Sequence, residues 1–178
     1  MPSLQSNDFE LFDLPARFAQ DRTAIDARWK DLQREAHPDK FAAQGAAAQR
    51  VAMQWSVRIN EAYQRLKDPL RRAAYLCELN GAPVNAENNT AMPPDFLVQQ
   101  MEWRELLDDA RTEQQLDMLL AMVKDSREAM LMCCGQLLDG THDYAQAAQT
   151  VRALMFVERF AADVDARFER METVPRGQ

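Results

Sequence analysis

The sequence predicts an all-α fold: a helical hairpin with short flanking helices in the first half, then a three-helix bundle. Two observations carry that prediction. Only 5 Gly and 8 Pro are spread over 178 residues, while Ala, Leu, Gln, Glu, Met and Arg are abundant, a balance that favours helices over strands and turns. Apolar residues also recur at spacings of three and four, the period of a helix face. With 47% hydrophobic residues the chain can bury a real core.

In chain order, Ile25, Trp29, Leu32 and Ala36 mark one face of a first long helix, with Asp21 or Thr23 available as N-cap. Pro38 must end it, because proline restricts the residue before it and has no N–H to give. A second long helix carries Ala48, Ala52, Trp55, Ile59, Ala62, Tyr63 and Leu66 on its inner face and stops at Asp68-Pro69. A shorter helix through Ala73, Leu76 and Leu79 runs to a C-cap at Asn80-Gly81. Gly, Pro and Asn then interrupt the pattern, so residues 1–80 are expected as one domain, 81–93 as a linker and 94–178 as the bundle. Its helices are expected at about 94–110, 113–138 and 143–171, with Gly140-Thr141-His142-Asp143 separating the last two and Thr141 or Asp143 as cap.

The formal net charge is −7, which argues against general nucleic-acid binding. Residues 1–80 carry 12 Lys/Arg against 11 Asp/Glu, and residues 81–178 carry 9 against 17; two halves so differently charged should meet different partners. The first residues read as neither a secretory signal nor a transit peptide, and no apolar run is long enough to span a membrane. A cytoplasmic protein is expected. Cys77, Cys133 and Cys134 form neither a disulfide framework nor a metal-ligand spacing, so they are expected as buried or half-buried reduced thiols. No metal, cofactor or catalytic constellation is expected, and no enzyme activity.

The loop His37-Pro38-Asp39 stands between the two long helices, with Arg28, Lys30 and Arg34 on the helix before it and Lys40-Phe41 after it. In that setting it resembles the J-domain, the module that stimulates DnaK-type chaperones. The resemblance implies that His37, Pro38 and Asp39 bind the chaperone's ATPase domain, while Arg28, Lys30, Arg34 and Lys40 attract an acidic surface. Two plainer readings stand beside it: the loop as a mere turn, and the cations as a solvated face alternating with Asp26, Asp31 and Glu35.

The helix from Pro94 has more apolar residues than one stripe can hold. At about 100° per residue from Phe96, Trp103, Leu106, Leu107 and Ala110 form a core face, while Leu97, Val98 and Met101 lie at roughly 100–200°, beside Glu102 and Glu105. Phe156 on the last helix lies off the stripe of Val151, Leu154 and Met155 and could border the same surface. Spacing alone leaves this second face either buried against the first domain or free as a docking patch.

Five segments together resemble the HscB family of J-type co-chaperones of iron–sulfur cluster biogenesis: Phe9-Glu10-Leu11-Phe12-Asp13-Leu14-Pro15, His37-Pro38-Asp39-Lys40-Phe41, Ile59-Asn60-Glu61-Ala62-Tyr63, Pro69-Leu70-Arg71-Arg72-Ala73-Ala74-Tyr75-Leu76 and Phe96-Leu97-Val98-Gln99-Gln100-Met101-Glu102-Trp103-Arg104-Glu105. The resemblance implies a J-domain that engages the chaperone HscA and a bundle that binds the cluster scaffold IscU through Leu97, Val98, Met101, Glu102, Glu105 and Phe156. Val98 and Met101 stand where the family prefers other large apolar residues. The cysteine-rich N-terminal extension of some eukaryotic relatives is lacking, so no zinc and a bacterial-type protein are expected. The other reading is a general J-protein acting on unfolded clients, against which the compact, acid-rimmed patch speaks.

Overall fold

The computed structural model describes residues 3–86 and 92–173, and among these it contains helices and no strand. The helices are α1 (Asp8–Phe12), α2 (Arg22–Glu35), α3 (Ala46–Lys67), α4 (Pro69–Leu79), α5 (Pro94–Asp109), α6 (Glu113–Gly135) and α7 (Tyr144–Thr173). Local chemistry sets most of their ends. Asn7 and Glu10 form a reciprocal capping box on α1, and Thr112 and Gln115 form another on α6. Asp21 caps α2 through the Thr23 N–H, and Asp68 caps α4 ahead of Pro69. Asp143 accepts from the Gln146 N–H at the start of α7. Helix α4 ends as its cap sequence implies: Gly81 turns left-handed at φ 77° and the Ala82 N–H reaches back to the Cys77 carbonyl.

The structure departs from the expected pattern at the end of α6. Its α-helical bonding stops at Gly135, and residues Gln136–Thr141 continue as a π-helical turn closed by left-handed His142. The wider turn buries Leu138 and turns Asp139 toward the loop after α1, where its carboxylate accepts from the Phe18 and Ala19 N–H groups at 2.7 and 2.8 Å. Phe18 lies against Gly135, where a Cβ would come within 3.2 Å of its ring.

Helices α2 and α3 form the hairpin, with Ile25 and Leu32 facing Ile59, Ala62 and Leu66. Helix α4 does not stop at closing that hairpin. Leu70, Ala73, Leu76 and Cys77 belong to one core together with Cys134, Leu138, Ala147, Ala148, Val151 and Leu154 of the second half. A second core of Phe96, Trp103, Leu107, Leu116, Leu119, Val123, Val157, Phe160 and Val164 holds α5, α6 and α7 together. Helix α5 runs parallel to α7: Phe96 meets Phe156, and further along Trp103 stacks on Phe160. The expected linker falls partly on residues 87–91, outside the described residues; within the rest of it Val84 is buried, and its carbonyl accepts from Arg152 at 2.8 Å.

Two expectations about burial are corrected. Leu106, placed on the core face, is 48% exposed, because it sits about 80° from Phe96, at the edge of what two neighbouring helices can cover. Cys133 is exposed, whereas Cys77 and Cys134 are buried; adjacent positions on a helix differ by about 100°, so only one of the pair can face the core.

A charged group inside the first core ties α1 to α3. Asp8 is fully buried, with Arg58 Nη1 at 2.7 Å and Arg65 Nε at 2.9 Å from its two oxygens, and its backbone N–H donates to the Tyr75 hydroxyl. Burial pushes the Tyr75 hydroxyl above its ordinary pKa. Removing the carboxylate leaves two partly buried guanidiniums without their acid, so Asp8→Ala should cost about 3 kcal/mol in urea unfolding. A loss below about 1 kcal/mol would show the pair to be structurally idle.

Burial also pushes the Cys77 thiol to about 11 and the Cys134 thiol to about 12. Above about 8.5 the unfolded chain gives up these protons while the folded chain keeps them, so fold stability should fall as pH rises into that window. The same burial predicts that a thiol-reactive disulfide titrates one cysteine, Cys133, in the native protein at pH 8 and all 3 after unfolding.

Candidate functional site

The loop between α2 and α3 is built by punctuation. Helix α2 closes when the Ala36 N–H bonds to the Leu32 carbonyl, and Pro38 begins a 3-10 turn that runs through Gln44. Gly45, at φ 94°, supplies the backbone conformation that lets α3 start at Ala46. The loop stands clear of the core: the His37 and Asp39 side chains are 57% and 91% exposed, Lys40 is exposed and Pro38 half-buried. The Asp39 N–H donates to His37 Nδ1 at 3.3 Å, while the Asp39 carboxylate lies 3.6 Å from that nitrogen, too far for a hydrogen bond. The tripeptide is therefore braced through its backbone, with the carboxylate left open to solvent.

Polar groups between the arms hold the loop in place. Asn60 Oδ1 accepts from Gln33 Nε2 at 2.7 Å and from Trp29 Nε1 at 3.0 Å. The Trp29 ring stacks on Tyr63 at 4.7 Å between centroids, and Ser56 donates to the Ala36 carbonyl one residue before His37. Reading the apolar periodicity passed over Gln33, Ser56 and Asn60. The available signal was a polar residue directly after Ile59 at the border of the buried stripe.

The cations on α2 do not form one cluster. Lys30 and Arg34 lie one turn apart on the same side, while Arg28 is about 160° around the helix from Lys30 and half-buried, its Nε shielded from solvent. Arg34 is 3.3 Å from Asp31, with both side chains largely exposed, a pairing that holds its charge only weakly. Asp26 is engaged by Arg22 at 2.8 Å, which with the Tyr63 hydroxyl holds its carboxyl below the ordinary range. Lys30 and Lys40 have no ion pair among the described residues.

On α5 the second apolar face is open. Leu97, Val98 and Met101 are 45%, 57% and 67% exposed, and Glu102 and Glu105 are exposed beside them. Burial of this face against the first half, one of the two readings that spacing left open, does not occur. Phe156 is half-buried, its ring edge-on to Phe96 at 6.0 Å, so it borders the patch where α5 begins. Glu102 lies on the edge turned away from that side, about 100° from Met101.

Comparison with known proteins identifies the architecture. Residues 92–165 match the model of the HSCB C-terminal oligomerisation domain. A co-chaperone protein HscB homolog from Burkholderia multivorans is 53% identical over 176 residues, covering 97% of this chain and all of that one. The chain belongs to the HscB co-chaperone family. The Burkholderia mallei homolog is 54% identical over 97% of this chain, and the chaperone HscB from Vibrio cholerae superposes with a TM-score of 0.80 at 33% identity over 93% of this chain and 99% of that one. Human HscB has the same fold, with a TM-score of 0.83 at 23% identity. In HscB terms the hairpin with its flanking helices is a J-domain and α5–α7 are the C-terminal helical bundle. As a member of this family the chain is a J-protein co-chaperone of iron–sulfur cluster assembly.

The brace on the loop is open to test. Asn60→Ala removes an acceptor shared by two donors and should lower stability by about 1–2 kcal/mol in chemical denaturation. A variant as stable as wild type would mean that the apolar core and the Trp29–Tyr63 stack close the hairpin without this acceptor.

Proposed function

We propose that the protein stimulates ATP hydrolysis by a DnaK-type chaperone, HscA, and delivers the iron–sulfur scaffold IscU to it. In this reading it is an adaptor with no reaction of its own, and it works in the cytoplasm; unpaired thiols fit a reducing compartment. The observation that carries the reading is the open α5 face. Three large apolar side chains with an acidic edge are an expensive surface to leave in water, and they suit one folded partner better than the varied segments of unfolded clients.

His37, Pro38 and Asp39 would make the chaperone contact. Pro38 holds the loop before docking, which lowers the entropy lost on binding, and the solvent-facing Asp39 carboxylate is free to accept from a partner's cation. Lys30, Arg34 and Lys40 would act by attraction to an acidic surface, chiefly on association rate and its salt dependence. Arg28, half-buried and on another side of α2, would contribute less. On α5, Leu97, Val98 and Met101 with Phe156 would supply buried contact area for the scaffold, and Glu102 and Glu105 would meet basic groups at its rim. No helix among the described residues is long and apolar enough to cross a membrane.

Steady-state ATP hydrolysis by HscA, with and without IscU, tests both contacts. Wild type should stimulate, and IscU should add to the effect. Asp39→Asn should return hydrolysis to the unstimulated rate while leaving IscU binding intact. The Leu97→Ala/Met101→Ala variant should keep the direct stimulation and lose IscU affinity by about 2 kcal/mol, roughly thirtyfold. Full stimulation by Asp39→Asn, or unchanged IscU binding by the double variant, would refute the corresponding half of the proposal.

A further inference from the structure

We propose that a cleft between α5 and α7 is a carboxylate-binding subsite of the same docking face, taking an acidic side chain or the terminal carboxylate of the protein bound on Leu97 and Met101. The proposal rests on the reading of that face as the scaffold-docking surface. The cleft measures about 250 Å³ and is lined by Arg104, Leu107, Asp108, Asp163, Arg167 and Arg170. Three of the 9 Lys/Arg in residues 81–178 converge here, in a stretch that carries 17 Asp/Glu. Asp108 and Asp163 line it too, so the cleft carries a net charge of +1 (three Arg against two Asp) in a stretch whose own net charge is −8 (9 against 17).

The three guanidiniums are unequally occupied. Arg104 lies 3.3 Å from Asp163 and over the Phe160 ring at 5.6 Å. Among the described residues Arg167 donates only to the Ala110 carbonyl, at 3.3 Å, and its Nε is buried with no hydrogen-bond partner. Arg170 donates to the Ala166 carbonyl of its own helix at 3.2 Å. Neither Arg167 nor Arg170 has an ion pair among the described residues. Each guanidinium carries five donors in a fixed fork suited to a carboxylate, so donors remain for an incoming acid. Arg167 is also held in advance by its backbone bond, which lowers the ordering cost of using it.

The cleft continues the docking face. Leu97, Met101, Arg104 and Asp108 follow the i, i+4, i+7, i+11 spacing of one side of α5, and Leu97 to Arg104 spans about 10 Å along the axis. Because α5 and α7 run parallel, the contacts between them follow in order: Phe96 with Phe156, Arg104 with Asp163, Ala110 with Arg167. A partner covering Leu97 and Met101 therefore reaches the cleft without leaving the surface. Glu102 and Glu105 at one place and the arginines at another form a pattern of opposite charges, which sets the direction in which a partner lies on an otherwise apolar patch.

Calorimetric titration of IscU into the full chain tests this, using wild type, Arg167→Gln, Arg170→Gln and the charge-matched control Lys124→Gln on exposed α6. The two arginine variants should each bind about tenfold more weakly, and the control should bind within about twofold of wild type. Arg170→Gln loses only a contact within its own helix, so it remains informative if Arg167→Gln melts early. Replacing the acidic residues of IscU one at a time should find one whose effect is not additive with Arg170→Gln. Arginine variants that bind as well as the control overturn the subsite. So does inorganic phosphate binding the cleft while those variants keep full IscU affinity, which would make it a small-anion site. Normal binding by Leu97→Ala/Met101→Ala would instead reject the docking face itself, so the two failures are distinguishable.

Discussion

The packing of α4 against α6 and α7 is the constraint from which the rest of the molecule takes its geometry. Leu70, Ala73, Leu76 and Cys77 sit in one core with Cys134, Leu138, Val151 and Leu154, so the hairpin's core and the end of the bundle are a single apolar body. Burial of each leucine or valine in it is worth about 1.5–3 kcal/mol, and there are several of them. The polar contacts add direction to it. Asp139 holds the Phe18 and Ala19 amides, Arg72 donates to the Phe18 carbonyl at 2.8 Å, and Arg152 donates to the Val84 carbonyl. Each donor or acceptor ends on backbone of the loops that frame the seam, which fixes those loops without an independent core of their own.

That arrangement separates the two exposed regions that matter. The His37 loop is at the far end of the α2/α3 hairpin, held by Asn60 and the Trp29–Tyr63 stack. The α5 face is on the bundle, with Trp103 and Phe160 beneath it. A rigid support is what each needs. A short exposed loop gives a partner few contacts, so its affinity depends on being ordered beforehand, and an apolar patch keeps its shape only when the ring layer under it is closely packed.

Charge follows the same division. On the J-domain, acids and bases are interleaved along α2, with Arg22 paired to Asp26 and Arg34 weakly to Asp31, so Lys30, Arg34 and Lys40 remain as exposed cations near the loop. On the bundle, acid predominates, and the cleft between α5 and α7, where three arginines meet two aspartates, is the exception. The proposed role, an adaptor that binds two proteins, would benefit from surfaces of such different character, one small and polar, the other apolar with charge at its margins.

Much of this was already determined by the amino-acid sequence. Helix period, the caps at Asp21, Asp68 and Thr112, and the breaks at Pro38 and Gly81 are local, and local chemistry decides them. The His37-Pro38-Asp39 loop was legible for the same reason, as was the surplus of apolar residues on α5. Tertiary structure alone decided which of two equally periodic positions is covered. Leu97 and Met101 stand open because nothing in the first half reaches them, and Leu106 stands open because two neighbouring helices do not enclose a third. It also decided that Cys133 faces water and Cys134 the core, and that α6 ends in a wider turn so that Asp139 can reach the Phe18 amide. The gathering of Arg104, Arg167 and Arg170 lay beyond sequence reading, since residues more than 60 positions apart along the chain meet only when two helices are laid side by side.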